Sequence, residues 1–289
     1  MIAKREIWNY SDKGKVWAGK YKNSHNLPHW HYDYELIQVE EGCINVFCDK
    51  KKYTLQKDEA LLIDSGAVHS MHACTTDTKL RVLIFAQDVL KPFAENIRLA
   101  SPKFYGTYPV KQLYSAVLRI LSEKAPYYTE EAICEIVRFM IGVLRGERVV
   151  KRVKSDSASQ AFKRLLEEVG NRYDEFTFED AVSFMGMSDA YFSRYFRAMA
   201  GIPFSEYLNI VRTENAIKLL QTEKDISVTE ISYRCGFPTI RSFNRIFKEI
   251  TGYAPKQLPA EFTLEESIPT SDETFNPSLF GCELIEFPS

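Results

Sequence analysis

Residues 227–258 read SVTEISYRCGFPTIRSFNRIFKEITGYAPKQL. Ser227 and Glu230 have the spacing of a capping box, in which each side chain takes up a free backbone N–H of the other's turn, so a helix starts there. Val228, Ile231 and Cys235 recur at helical spacing, and Gly236 then breaks the pattern as a tight helix-to-helix turn requires. A second helix is predicted from Thr239 to Ile250, with Phe243, Ile246, Phe247 and Ile250 on one face and Arg241, Asn244, Arg245 and Lys248 on another. Arginine can bond guanine through two atoms and asparagine can do the same for adenine, so a short helix with this front suits the major groove. One such helix alone is equally an ordinary solvated face.

A second copy decides between these. Residues 177–204, TFEDAVSFMGMSDAYFSRYFRAMAGIPF, repeat the cap as Thr177 and Asp180, the turn glycine as Gly186, and the apolar back as Phe192, Tyr195, Phe196 and Met199. Ala190, Ser193, Arg194 and Arg197 take the front positions, in register apart from a one-residue slip after the turn. Cap, turn, back and front recurring together point to a duplicated unit.

At these residues the chain resembles the AraC family of bacterial transcription regulators, through ISYRCGF at Ile231, SFNRIFK at Ser242, GYAP after Thr251, and Arg212, Ala216, Leu219 and Leu220 in the joining helix. The resemblance covers about Ala161 to Leu258. It implies that Ala190, Ser193, Arg194, Ile240, Arg241, Asn244 and Arg245 face bases, and that Arg197 and Lys248 hold phosphates. Two such helices joined rigidly through residues 205–222 are expected to enter successive major grooves of operator DNA, ~34 Å apart.

The length of 289 residues fits two domains. The net charge of −2 does not announce a nucleic-acid binder, so the basic surface has to be local. Cys43, Cys48, Cys74, Cys134, Cys235 and Cys282 form no C-x-x-C pair, which speaks against a zinc ribbon and for reduced, buried thiols. The first residues lack the apolar core of a signal peptide, and no stretch is apolar enough to span a membrane, so a cytoplasmic protein is expected.

Up to about Phe85 the chain alternates in short runs broken by Gly42, Asp49–Lys50 and Ser65–Gly66, the pattern of a sandwich or barrel. His29, His31 and Glu35, followed by Gly42, resemble the first motif of the cupin barrel, and Gly66–His69 the second; Asp58 and Asp64 depart from it. Three histidines and a carboxylate suit a divalent transition metal. The other reading, favoured here, is a metal-free pocket for a small organic effector, with Trp17, Trp30, Tyr32 and Tyr34 as aromatic surface nearby, or with Trp30 and Tyr32, out of phase with the histidines, facing outward, and a sugar as the first guess.

The period turns helical from Pro109 to Gly146. Ile133, Ile136, Val137, Met140, Ile141 and Leu144 form a broad apolar stripe, and the resemblance implies that part of it pairs two copies in a homodimer. Residues 147–158 read as a linker and 261–289 as an acidic, loosely docked tail, with folding back or contact with RNA polymerase as alternatives.

The expected architecture is therefore two-domain: an N-terminal all-β cupin-like barrel (1–108) with a helical pair (109–146), and a C-terminal all-α domain with two helix-turn-helix units (159–260). The expected function is a ligand-responsive regulator, not an enzyme, with no cofactor. The competing readings are a metal-dependent cupin enzyme and a metal-sensing regulator, both using His29, His31, Glu35 and His69.

Overall fold

The structure is a computed structural model that describes residues 15–48, 50–152, 157–223, 226–260, 262 and 282–288. Seven strands come first: β1 (Val16–Lys22), β2 (Tyr34–Glu41), β3 (Cys43–Cys48), β4 (Lys51–Gln56), β5 (Ala60–Ile63), β6 (His69–Ala73) and β7 (Lys79–Phe85). They form two facing antiparallel sheets. In the smaller the order is β4-β3-β6; in the larger it is β1-β7-β2-β5, extended at the β1 edge by β10 (Glu283–Glu286).

Strand alternation sorts the side chains. Ile37, Val39, Leu80, Val82 and Ile84 point between the sheets and pack on Ile44, Val46, Leu55 and Met71. Leu36, Leu83 and Phe85 point out of the larger sheet and are covered by α2 (Val110–Glu123) and α3 (Tyr128–Gly146). The larger sheet is thus buried on both faces, which is why β2 is buried at six consecutive residues, Tyr34 to Val39, rather than at alternate ones.

Two segments differ from the sequence reading. The first half of the expected linker is ordered: after the short helix α1 (Lys91–Ala94), β8 (Ile97–Leu99) pairs with β9 (Val149–Lys151). Arg152 then bonds both oxygens of Asp64, at 2.9 and 2.8 Å, and the Tyr34 hydroxyl at 2.9 Å. Residues 153–156 lie outside the described residues. The tail is also partly docked. Leu284 packs against the sandwich core, and Glu286 accepts from the Tyr114 hydroxyl at 3.0 Å and pairs with Lys20 at 3.2 Å. Acidic composition concealed an alternating edge strand.

The helical domain runs from α4 (Ser157–Asn171) through α5 (Phe178–Met185), α6 (Asp189–Ala200), α7 (Phe204–Thr222), α8 (Val228–Arg234) and α9 (Ile240–Thr251). It has two cores. Tyr207, Leu208, Ile210 and Val211 of α7 join the first, around α4–α6; Ala216 and Ile217 join the second, around α8 and α9. A helix shared by two cores is buried nearly all round, so α7 shows no single apolar stripe.

Candidate functional site

The caps set the two units. Thr177 Oγ1 accepts from the Asp180 N–H at 3.1 Å while the Asp180 carboxylate accepts from the Thr177 N–H at 2.9 Å, completing the box. Ser227 Oγ accepts from the Glu230 N–H at 3.1 Å. Thr239 begins α9 in the same manner, accepting from the Ser242 N–H at 3.1 Å, a cap that the sequence reading did not single out. Gly236 has φ +73°, and a Cβ there would lie 1.9 Å from the Asp174 carbonyl oxygen, so the turn needs glycine for space as well as for conformation. Arg212 donates to the Tyr173, Asp174 and Phe176 carbonyls and fixes that loop against α7.

Each second helix is divided as its sequence demands. Phe192, Phe196, Phe243 and Phe247 are fully buried, and Tyr195, Met199 and Ile246 nearly so. Ala190, Ser193, Arg194 and Arg197 are exposed on α6, and Ile240, Arg241, Asn244, Arg245 and Lys248 are exposed on α9. Arg245 is not idle: its Nη1 donates to both oxygens of Glu249, at 2.8 and 2.9 Å.

The sensor residues come together from three segments. The stretch 29–31 pairs with β6 through mutual His29–His69 backbone bonds of 3.0 Å, and Glu35 enters from β2. One donor atom from each of His29, His31, Glu35 and His69 lies within 4.8 Å of all the others, and all four residues are buried. The three Nδ1 atoms face backbone carbonyls: His29 that of Leu27 at 2.8 Å, His31 that of Asp33 at 3.0 Å, His69 that of Ala67 at 3.0 Å. That arrangement turns each Nε2 toward the shared centre, where it could serve as a metal ligand.

Glu35 Oε2 lies 3.4 Å from His31 Nε2 and 3.0 Å from His69 Nε2, the latter off the line of a hydrogen bond, so His69 Nε2 is buried with no hydrogen-bond partner. Burial would raise the Glu35 carboxyl, but the His31 and His69 rings beside it hold it far below the usual carboxylate range. Burial, reinforced by the His69 and His31 rings, pushes the His29 imidazole well below its ordinary value. Three imidazoles and one carboxylate converging in a buried pocket are a donor set that fits a divalent transition metal.

Three of the four aromatic rings expected around this cluster turn elsewhere. Trp30 packs into the helical domain's first core, Tyr32 is 44% exposed, Tyr34 stacks on Phe85 at 5.4 Å, and Trp17 lies against Tyr21 at 5.9 Å. Trp30 and Tyr32 are out of phase with His29 and His31, and Tyr34 with Glu35, which turns those three rings away; Trp17 shares a cross-strand row with Ile84 and Glu35 and faces the sandwich interior. Asp58, one of the two departures from the cupin pattern, adopts φ +66°, a conformation that glycine takes without strain.

Comparison with known proteins gives the same two halves. Residues 18–139 match the AraC-like ligand binding domain and residues 182–260 a helix-turn-helix domain. The chain is similar to the HTH-type transcriptional activator RhaS of Klebsiella pneumoniae, 24% identical over 80% of this chain and 87% of that one. It is 34% identical over 85 residues to an uncharacterised HTH-type transcriptional regulator of Staphylococcus aureus, covering 29% of this chain and only 11% of that relative's length. Among solved structures, fatty acid-bound ToxT from Vibrio cholerae aligns over 86% of this chain and 95% of its own, with 12% identity and a TM-score of 0.40. Among the described residues no helix is long and apolar enough to cross a membrane.

Proposed function

Because the chain belongs to the AraC family of transcription regulators, we propose that it binds double-stranded operator DNA through α6 and α9 and is controlled by an effector in the β-domain. The observation that carries this is the duplicated capped unit, whose arginines stay exposed while its phenylalanines are fully buried. Arg194, Arg241, Asn244 and Arg245 are the base readers, with Ala190, Ser193 and Ile240 as lesser contacts to bases. Arg197 and Lys248 hold phosphates, which fix register without reading sequence. The protein works in the cytoplasm, where its operator lies. Selection of bound duplexes from a random pool tests the proposal: a consensus of about two helical turns is expected, and recovery of unrelated sequences contradicts it.

The effector is a divalent transition metal ion rather than a sugar. The specific support is the set of four buried donors, with the Nδ1 atoms of the three histidines facing carbonyls. Sensing fits better than catalysis: His29, His31, Glu35 and His69 are each 3% exposed or less, whereas a catalytic metal keeps a position open for substrate. Metal analysis of untagged protein, with His31→Ala as control, checks this; an empty wild-type site after growth in zinc, iron and manganese contradicts it.

The active form is a homodimer. Ile133, Val137 and Ile141 on α3 are only partly buried within one copy, and a second copy would cover them. Light scattering on Ile141→Glu checks the pairing, with a folded monomer expected. If the protein activates transcription, RNA polymerase is its further partner, and a variant that binds operator normally but fails to activate in vitro would locate the contact.

A further inference from the structure

The metal cluster and the first DNA-reading unit share neighbours. Trp30 sits between His29 and His31, and Val68 precedes His69; both pack with Phe162 and Leu165 of α4 in one apolar cluster. Lys163 of α4 places its Nζ 5.6 Å above the Trp30 ring and donates to the Gly66 carbonyl. Ser70, which follows His69, is fully buried and donates to the carbonyl of Ala200, the last residue of α6, at 2.9 Å. The next residue, Gly201, has φ +80°, and a Cβ there would lie 2.8 Å from Phe47 of β3 and 2.9 Å from His72 of β6. Lys50, just before β4, lies 5.0 Å over the Tyr195 ring of α6. Residues 29–31 and 66–68 thus hold α4, and the smaller sheet holds the C-terminal end of α6, along a seam in which Trp30, Val68 and Ser70 alternate with the metal donors.

We propose that occupancy of the four-donor site by a divalent transition metal is transmitted to the first DNA-reading unit through this seam, with Trp30 and Ser70 as the moving parts. The inference rests on the metal reading above. A bound metal ties His29, His31, Glu35 and His69 to one centre, and Trp30, Val68 and Ser70, which alternate with those donors, are among the side chains that hold α4 and α6. A packed seam does not stretch continuously but shifts from one arrangement to another. The orientation of Arg194 relative to the second unit changes with it.

The test uses full-length untagged protein, cobalt(II) as the probe and a duplex selected from a random pool. Cobalt binding is read by its ligand-field absorption and DNA affinity by anisotropy with and without cobalt. Wild type should bind one cobalt and change its DNA affinity about tenfold. Ser70→Ala and Phe47→Ala, which spare all four donors, should bind cobalt as wild type does and still bind DNA, with the cobalt response reduced to less than about twofold. Phe47 is only partly buried, so its variant keeps the test open if Ser70→Ala does not fold. Undiminished responses in both variants overturn the seam while leaving the metal site intact. Cobalt binding by wild type without any change in DNA affinity overturns transmission. Absence of cobalt binding overturns the metal reading itself.

Discussion

Arg245 and Glu249 lie one turn apart on the exposed face of α9, and the Arg245 Nη1 donates to both oxygens of the Glu249 carboxylate. The arginine assigned to a base edge is therefore held by an acidic neighbour in the free protein. Arg245→Ala is expected to weaken operator binding by about 1–3 kcal/mol and to relax preference at one base pair. Glu249→Gln releases the guanidinium and removes a negative charge next to DNA, so its affinity should rise. Titration of both variants against the selected operator checks the pair; equal affinity of Arg245→Ala and wild type would remove Arg245 from the interface.

The two sides of α9 should respond in opposite ways. Phe247 is fully buried in the second core, and Phe247→Ala should cost about 3–5 kcal/mol of stability through lost burial and the cavity left behind. Lys248 is exposed, and Lys248→Ala should change stability by less than about 0.5 kcal/mol while weakening DNA binding at every sequence alike. Urea unfolding and DNA titration on the same two proteins separate these effects. A stable Phe247→Ala would contradict the assignment of the aromatic side as core.

These sides were legible from the sequence because duplication shows every constraint twice. Gly186 and Gly236, or Phe192 and Phe243, exclude chance in a way that neither residue does alone. Spacing of two along an extended segment puts His29 and His31 on one side, whereas Glu35, beyond the bend at 32–33, and His69, on β6, are legible only through the resemblance to the two cupin motifs. The seam was not legible. Ser70, Lys163 and Gly201 are common types whose partners lie about a hundred to a hundred and fifty residues away, and no local period records a contact between domains. Arg152 was read as part of a basic linker, since its partner Asp64 is equally remote and was noticed only as a departure from the cupin pattern.

Acid should loosen the sensor. His72 is stacked beside His25, with ring centroids 4.5 Å apart, and its Nε2 is buried with no hydrogen-bond partner. Burial, reinforced by His25 and Lys52, lowers its pKa to about 4, and burial lowers that of His25 as well. Both folded values lie below the unfolded one, so the unfolded chain takes up protons that the folded chain refuses. Stability is therefore fully present above about pH 6.5 and is lost as the pH falls toward 4. For His72 the loss is about 1–3 kcal/mol after allowing for its partial exposure. Urea midpoints at pH 7.5 and 5 should diverge in wild type, and less so in His72→Phe. Identical pH dependence in the two proteins would contradict this role.

Removal of the tail should destabilise the β-domain. Truncation after Phe262, which spares that residue's place in the second helical core, deletes β10, uncovers the β1 edge, and leaves the Tyr114 hydroxyl and Lys20 without Glu286. A loss on the order of 1–2 kcal/mol is expected by thermal unfolding, with DNA binding retained. An unchanged midpoint would mean that the strand contributes nothing to the fold.

The central claim is that α6 and α9 read one duplex together. Selection from a random pool, carried out in parallel with wild type, Arg194→Ala and Arg245→Ala, tests it most directly. Wild type should yield two sequence elements about one helical turn apart, with each variant losing preference in a different element. A single element, or elements that neither variant alters, would contradict the account.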